Sequence, residues 1–96
     1  MITSKQRSYL RSLGNNIEPI FQIGKGGINE NLIQQVKDAL EARELIKITV
    51  LKNSLLDTRE TCDKLAKLVG AEPVQVIGNR FILYKQSKKN QRIFLQ

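Results

Sequence analysis

The chain has 96 residues, 41% of them hydrophobic, with two tyrosines, three phenylalanines and no tryptophan. That length allows one core and excludes a multi-domain arrangement, and the aliphatic content excludes a disordered chain. The net charge is +7 with no histidine and one cysteine, which leaves no internal disulfide, no zinc-ligand set and no imidazole for proton transfer near neutral pH.

No apolar run approaches the roughly 20 residues that would cross a bilayer. The opening Met1-Ile2-Thr3-Ser4-Lys5 lacks the apolar stretch of a signal peptide. The expected location is therefore the cytoplasm. The charge is unevenly placed: residues 1–17 carry +3, residues 75–96 carry +5, and the span between them sums to −1. If the fold brings the two ends together near the glycines at 24–27, they form one positive surface suited to a polyanion.

In chain order, Thr3 and Ser4 offer caps for a first helix with Tyr9, Leu10, Leu13 and Ile17 on one side and Arg7 and Arg11 on the other. The cluster Gly14-Asn15-Asn16 ends it. Ile20-Phe21-Gln22-Ile23 reads as a short strand that runs straight into Gly24-Lys25-Gly26-Gly27. Asn29 can cap a second helix whose stripe includes Leu32, Ile33, Val36 and Leu40, with Glu41 on its solvated side. Leu45 to Leu51 alternates as a second strand, with Lys47 and Thr49 on the more polar face.

Asp57-Thr58-Arg59-Glu60 has the form of a capping box and opens a third helix. There Cys62, Leu65, Ala66, Leu68 and Val69 share a face, which makes Cys62 a small buried hydrophobe. Val74 to Ile77 and Phe81 to Tyr84, joined by Gly78-Asn79-Arg80, read as an antiparallel hairpin. Residues 86–96 read as a basic, mobile tail that its apolar end at Ile93-Phe94-Leu95 can dock. The expected architecture is one compact α/β domain over residues 1–85, in the order α-β-α-β-α-β-β. Its four-stranded mixed sheet has the first three strands parallel and the hairpin adding an antiparallel fourth.

The glycine stretch lies between a strand and a helix, where backbone N–H groups and the positive end of a helix dipole converge. An anion is the natural guest. The spacing fails the phosphate loop of nucleotide hydrolases, because Gly24 and Gly27 stand only two residues apart and Ile28 follows. It also fails the dinucleotide fingerprint, with Asn29 in the place of the last glycine. A G-x-x-G turn that carries a lysine and opens a helix matches the arrangement with which KH domains clamp a nucleic-acid backbone. The chain offers no aromatic pair suited to base stacking, which favours phosphate contact with a folded RNA.

Five blocks, "TSKQRSYLRSL", "PIFQIGKGGINENLI", "ALEARELIKITVLKN", "DTRETCDKLAKLVGA" and "VQVIGNRFILYK", in this order resemble the bacterial YhbY-like proteins. These are single-domain members of the CRM family, the chloroplast RNA splicing and ribosome maturation domain. The resemblance covers residues 2 to 85. It implies a fold similar to the C-terminal domain of bacterial translation initiation factor three, RNA binding, association with pre-large-subunit particles, and a role in ribosome assembly.

Carried onto this sequence, the family's proposed RNA contact falls on Gly24, Lys25, Gly26 and Gly27, joined by Lys5, Arg7 and Arg11 of the first helix. Lys52, Asn53, Arg80 and Lys85 are further candidates, with a solvated surface charge as the plain alternative for each. The expected partner is ribosomal RNA bound by a monomer, with no catalytic residue, metal, cofactor, membrane or small-molecule substrate. Two alternatives stand beside it. One is a protein-interaction module using the sheet face near Lys47 and Thr49, and the other is a small phosphate-binding enzyme.

Overall fold

The computed structural model describes residues 2–95. Helix α1 (Ser4–Gly14) opens with a reciprocal cap: the Thr3 hydroxyl accepts the Gln6 N–H at 3.1 Å, and the Gln6 side-chain oxygen accepts the Thr3 N–H at 2.9 Å. Strand β1 (Pro19–Ile23) follows, then helix α2 (Glu30–Arg43), where Asn29 Oδ1 accepts the Leu32 N–H at 2.8 Å. Strand β2 (Leu45–Val50) leads through a 3-10 turn at Lys52–Ser54 into helix α3 (Thr58–Val69), which Asp57 caps at its start. Gly70, at φ 72°, ends α3 in the left-handed conformation. The hairpin of β3 (Glu72–Ile77) and β4 (Arg80–Tyr84) completes the expected order.

The sheet runs β1-β2-β4-β3, with β1 parallel to β2 and the other two pairings antiparallel. The first three strands therefore share a direction, as the crossovers require. However, β4 lies between β2 and β3, so the hairpin's last strand is central. Burial explains the insertion. Phe81 and Leu83 point into one core cluster while Ile82 and Tyr84 point into the other, and a strand buried on both faces is most stable with neighbours on both sides.

Helices α2 and α3 cover one face of the sheet, where Val36, Leu40, Leu65 and Val69 meet Ile46, Ile48 and Phe81. Helix α1 covers the other through Leu10, which packs with Leu45, Val74, Ile82 and Tyr84. The face carrying Lys47 and Thr49 is thus half-buried beneath a helix and is no open docking surface. Two stripe assignments need correction. Tyr9 is 49% exposed because the turn that seats Leu10 rotates it toward Lys5 and Phe94. Leu68 is 45% exposed, since Thr61 rather than Leu68 completes the buried face of α3. Cys62 is fully buried, and burial, with the charge of Asp63, pushes its thiol up to about 12.

The segment after β4, expected as a mobile tail, is held against the C-terminal end of α2. Glu44 is completely buried at φ 67° and its carboxylate accepts the N–H groups of Ser87, Arg92 and Ile93, with Ser87 at 2.7 Å and Ile93 at 2.7 Å. Glu41, one turn earlier and expected on a solvated face, accepts the Ser87 hydroxyl and the N–H groups of Lys88 and Lys89. Ile93 and Leu95 then pack on the α1 side of the sheet. A carboxylate that gathers several N–H donors replaces the water those donors would otherwise bind, so the segment has partners in place of solvent.

Burial raises the Glu44 carboxyl, but its three N–H partners outweigh that and hold it below the ordinary value. The Ser87 hydroxyl and the Lys89 and Lys88 N–H groups lower Glu41 likewise. Depressed values in the folded state mean stability that is full above the ordinary carboxylate range and lost as pH falls through the depressed values. Replacing Glu44 by Gln should cost on the order of 2 kcal/mol in urea unfolding at neutral pH, because buried donors lose their acceptor. The gap between the two proteins should narrow as pH drops below the ordinary carboxylate range and the depressed Glu44 carboxyl takes up its proton.

Candidate functional site

Gly24-Lys25-Gly26-Gly27 forms a tight turn in which the Gly27 N–H donates to the Gly24 carbonyl at 2.9 Å. Only Gly27 has a positive φ, 64°. Since Gly26 does not, the turn is not the type that demands glycine at its third position. A Cβ on Gly26 would meet nothing within 4 Å, and one on Gly24 would sit 3.6 Å from Leu51 Cδ1, an ordinary contact. The left-handed backbone calls for glycine at 27, whereas the fold leaves room for a Cβ at 24 and 26, so the backbone is bare at these two positions without the fold requiring it. Lys25 is exposed beside it, and the N–H groups of Lys25 and Gly26 donate to no other described residue.

Strand register decides what stands next to this turn. Ile23 pairs with Val50 and Thr49 with Arg80, so the carboxyl ends of β1 and β2 and the start of β4 lie at one edge of the sheet. Three hydrogen bonds tie the connections there together: Leu51 N–H to the Ile23 carbonyl at 2.9 Å, Val50 N–H to the Asn79 carbonyl at 2.7 Å, and Asn79 Nδ2 to the Val50 carbonyl at 3.1 Å. Lys52, Asn53 and Arg80 are all exposed on this edge, together with Lys25. In open α/β sheets the crevice outside the carboxyl ends of the strands is where ligands bind.

The same edge exposes apolar side chains that the sequence reading passed over, Leu55 at 92% and Ile77 at 52%. Leu55 adopts φ 64° at the end of the 3-10 turn. Nothing in the local sequence separates Leu55 from a core leucine.

Other candidates lie elsewhere. Lys85 follows β4 at the opposite edge, where Tyr84 pairs with Leu45, about 17 Å from the Val50 end at ~3.3 Å per residue. Its Nζ donates to the Val69 carbonyl at 3.0 Å, which places a cation on the C-terminal end of α3. Lys5 is exposed on a groove shared with Tyr9, Phe94 and Leu95. Arg7 and Arg11 flank β3, where their Nε–H groups donate to the carbonyls of Pro73 at 3.3 Å and Val74 at 3.4 Å. The chain ends do meet, but away from the glycine turn, so their charge does not join it into one surface.

The start of α2 offers an external anion less than its dipole alone implies. Asn29 already occupies one N–H, and Glu30 places a carboxylate in the first turn. The groove beside the turn is lined by neutral amides, Gln22, Asn31 and Gln35 among them. Positive charge at this edge therefore comes from Lys25, Lys52 and Arg80, and the turn contributes close backbone approach. Among the described residues no cluster of His, Cys, Asp or Glu could hold a metal ion, and no helix is long and apolar enough to cross a membrane.

A three-helix α/β domain with a lysine-bearing glycine turn at the mouth of a parallel strand pair defines a narrow class of protein. Residues 2–85 match the family model for the CRS1 / YhbY (CRM) domain, and the chain belongs to that family. It is 50% identical over 95 residues to "Probable RNA-binding protein YqeI" of Bacillus subtilis (strain 168), with 99% of each chain covered. It is 38% identical over 86 residues to "Probable RNA-binding protein MJ0652" of Methanocaldococcus jannaschii, spanning 88% of this chain and 63% of that one. The solution structure of the hypothetical protein SAV1595 from Staphylococcus aureus superposes with a TM-score of 0.83 at 54% identity, over 100% of both chains.

The turn geometry gives a direct check on which glycines serve the fold. Gly27→Ala should lower stability by about 1 kcal/mol, the cost of a left-handed residue with a Cβ. Gly26→Ala should leave the thermal midpoint unchanged, as measured by circular dichroism.

Proposed function

We propose that this protein is a non-enzymatic RNA-binding protein acting in ribosome assembly. It associates with pre-large-subunit particles by setting its glycine turn and the basic edge of its sheet against the backbone of structured ribosomal RNA. The observation that carries this reading is the convergence of Lys25, Lys52, Asn53 and Arg80 around two glycines that the fold itself does not need. A side chain at Gly24 or Gly26 would hold a phosphodiester away from the free N–H groups of the turn, and bare backbone lets it reach them. Lys25 supplies a point charge beside that contact, and Arg80 can grip a second phosphate through its fork.

Membership of the CRM family and the RNA-binding names of the bacterial and archaeal relatives support RNA as the partner. The ribosomal setting follows from the family resemblance. The half-buried position of Lys47 and Thr49 removes the feature on which a protein-docking alternative stood. Lys85, engaged with the end of α3, contributes to the fold first and to the long-range field second.

Lys25→Glu should weaken binding to a structured fragment of large-subunit ribosomal RNA and reduce the slope of log affinity against log salt by about 1 to 2, as counterion release requires. Lys85→Met should lower stability while leaving that slope within about 1 of the wild-type value. An affinity that does not change with added salt would overturn the phosphate-contact reading. Crosslinking in cells followed by sequencing of the attached RNA tests the ribosomal part, with enrichment of large-subunit precursor RNA expected and its absence contradicting it.

A further inference from the structure

Away from the glycine edge, Arg7 and Arg11 line one cleft with a third arginine, Arg59 in the first turn of α3. α1 and α3 lie on opposite faces of the sheet, so the three arginines stand on both sides of its outer strand, β3. One acid, Asp63, shares the cleft. Arg7 and Arg11 are not loose surface charges, because each is fixed by its Nε–H to a β3 carbonyl. That bond leaves the outer nitrogens of each guanidinium as a fixed fork, the geometry that suits a phosphate.

The strand itself is closed to a peptide partner. Pro73 lacks an N–H, the register shifts between Pro73 and Gln75 in the pairing with β4, and the carbonyls of Pro73 and Val74 are occupied by arginine. An outer strand with these features resists strand addition. What remains available in the cleft is positive charge.

We propose that Arg7, Arg11 and Arg59 form a second phosphate-binding cleft along β3, so that the protein grips RNA at two separate backbone segments. The inference rests on RNA being the partner, as argued above, and adds a site distinct from the glycine turn. Two footholds on one rigid domain, whose longest dimension is 38 Å, select an RNA whose folded backbone passes both. Affinity for unstructured strands is then weaker than charge alone would give.

The test is hydroxyl-radical footprinting on an RNA hairpin whose stem exceeds the protein's 38 Å axis. Wild-type protein should protect two separate backbone segments. Arg59→Ala should clear one of them and lower the salt slope by about 1, whereas Lys25→Glu should clear the other. Arg59 is exposed, so circular dichroism should show both variants folded. A single protected segment weakened by either change overturns the second cleft, as does an Arg59→Ala pattern identical to wild type. If Lys25→Glu clears nothing while Arg59→Ala clears a segment, the glycine-turn reading fails and the cleft stands. A hairpin with no protection at all removes both.

Discussion

Parallel pairing of β1 with β2 constrains the rest of this molecule. Two parallel neighbours need a crossover, and the 14 residues of α2 supply it, so the chain must leave the carboxyl end of β1 by a turn short enough to start that helix at once. Gly24 to Gly27 is that turn. The Leu51 N–H bound to the Ile23 carbonyl continues the ladder one step past β2 and brings the 3-10 segment alongside. The antiparallel entry of β4 against β2 then adds Arg80 and the Asn79 turn to the same edge. The edge that carries the proposed RNA contact thus arises from pairing rules, before any side chain is considered.

The opposite edge does structural work with the same kinds of residue. Lys85 completes the end of α3, and Glu41 and Glu44 gather the backbone of residues 87–93. A basic segment that would be an obvious nucleic-acid arm in an extended chain is here wrapped around two carboxylates. The +5 of the last residues therefore divides, with Arg80 at the glycine edge and Lys85, Lys88, Lys89 and Arg92 at the other. Net charge sets the long-range field, and hydrogen bonding decides which cations can close on a phosphate.

Much of this was legible in the sequence because it is local. Thr3, Asn29 and Asp57 mark helix starts within one turn of themselves, and the period of two in Leu45 to Val50 marks a strand. The glycine turn and Lys25 could be found by spacing alone. What could not be read depends on contacts between distant residues. Glu41 and Glu44 look like surface acids until a segment more than 40 positions later folds back on them. The central place of β4 follows from burial on both its faces, which the continuous apolar run Phe81 to Tyr84 signals beside the alternation of Val74 to Val76, though reading the two as a hairpin did not use it. Arg59 was hidden inside a capping box, and only the packing of α1 and α3 on either side of β3 shows that it shares a cleft with Arg7 and Arg11.

Backbone amide NMR of the labelled protein, titrated with a structured ribosomal RNA fragment, tests residue by residue whether RNA meets the edge formed by the carboxyl ends of β1 and β2. The largest shifts should fall on residues 24–27, 52–53 and 79–80, with residues 41–44 and 85–93 unmoved. Shifts concentrated on the second set, with the glycine turn silent, would contradict it.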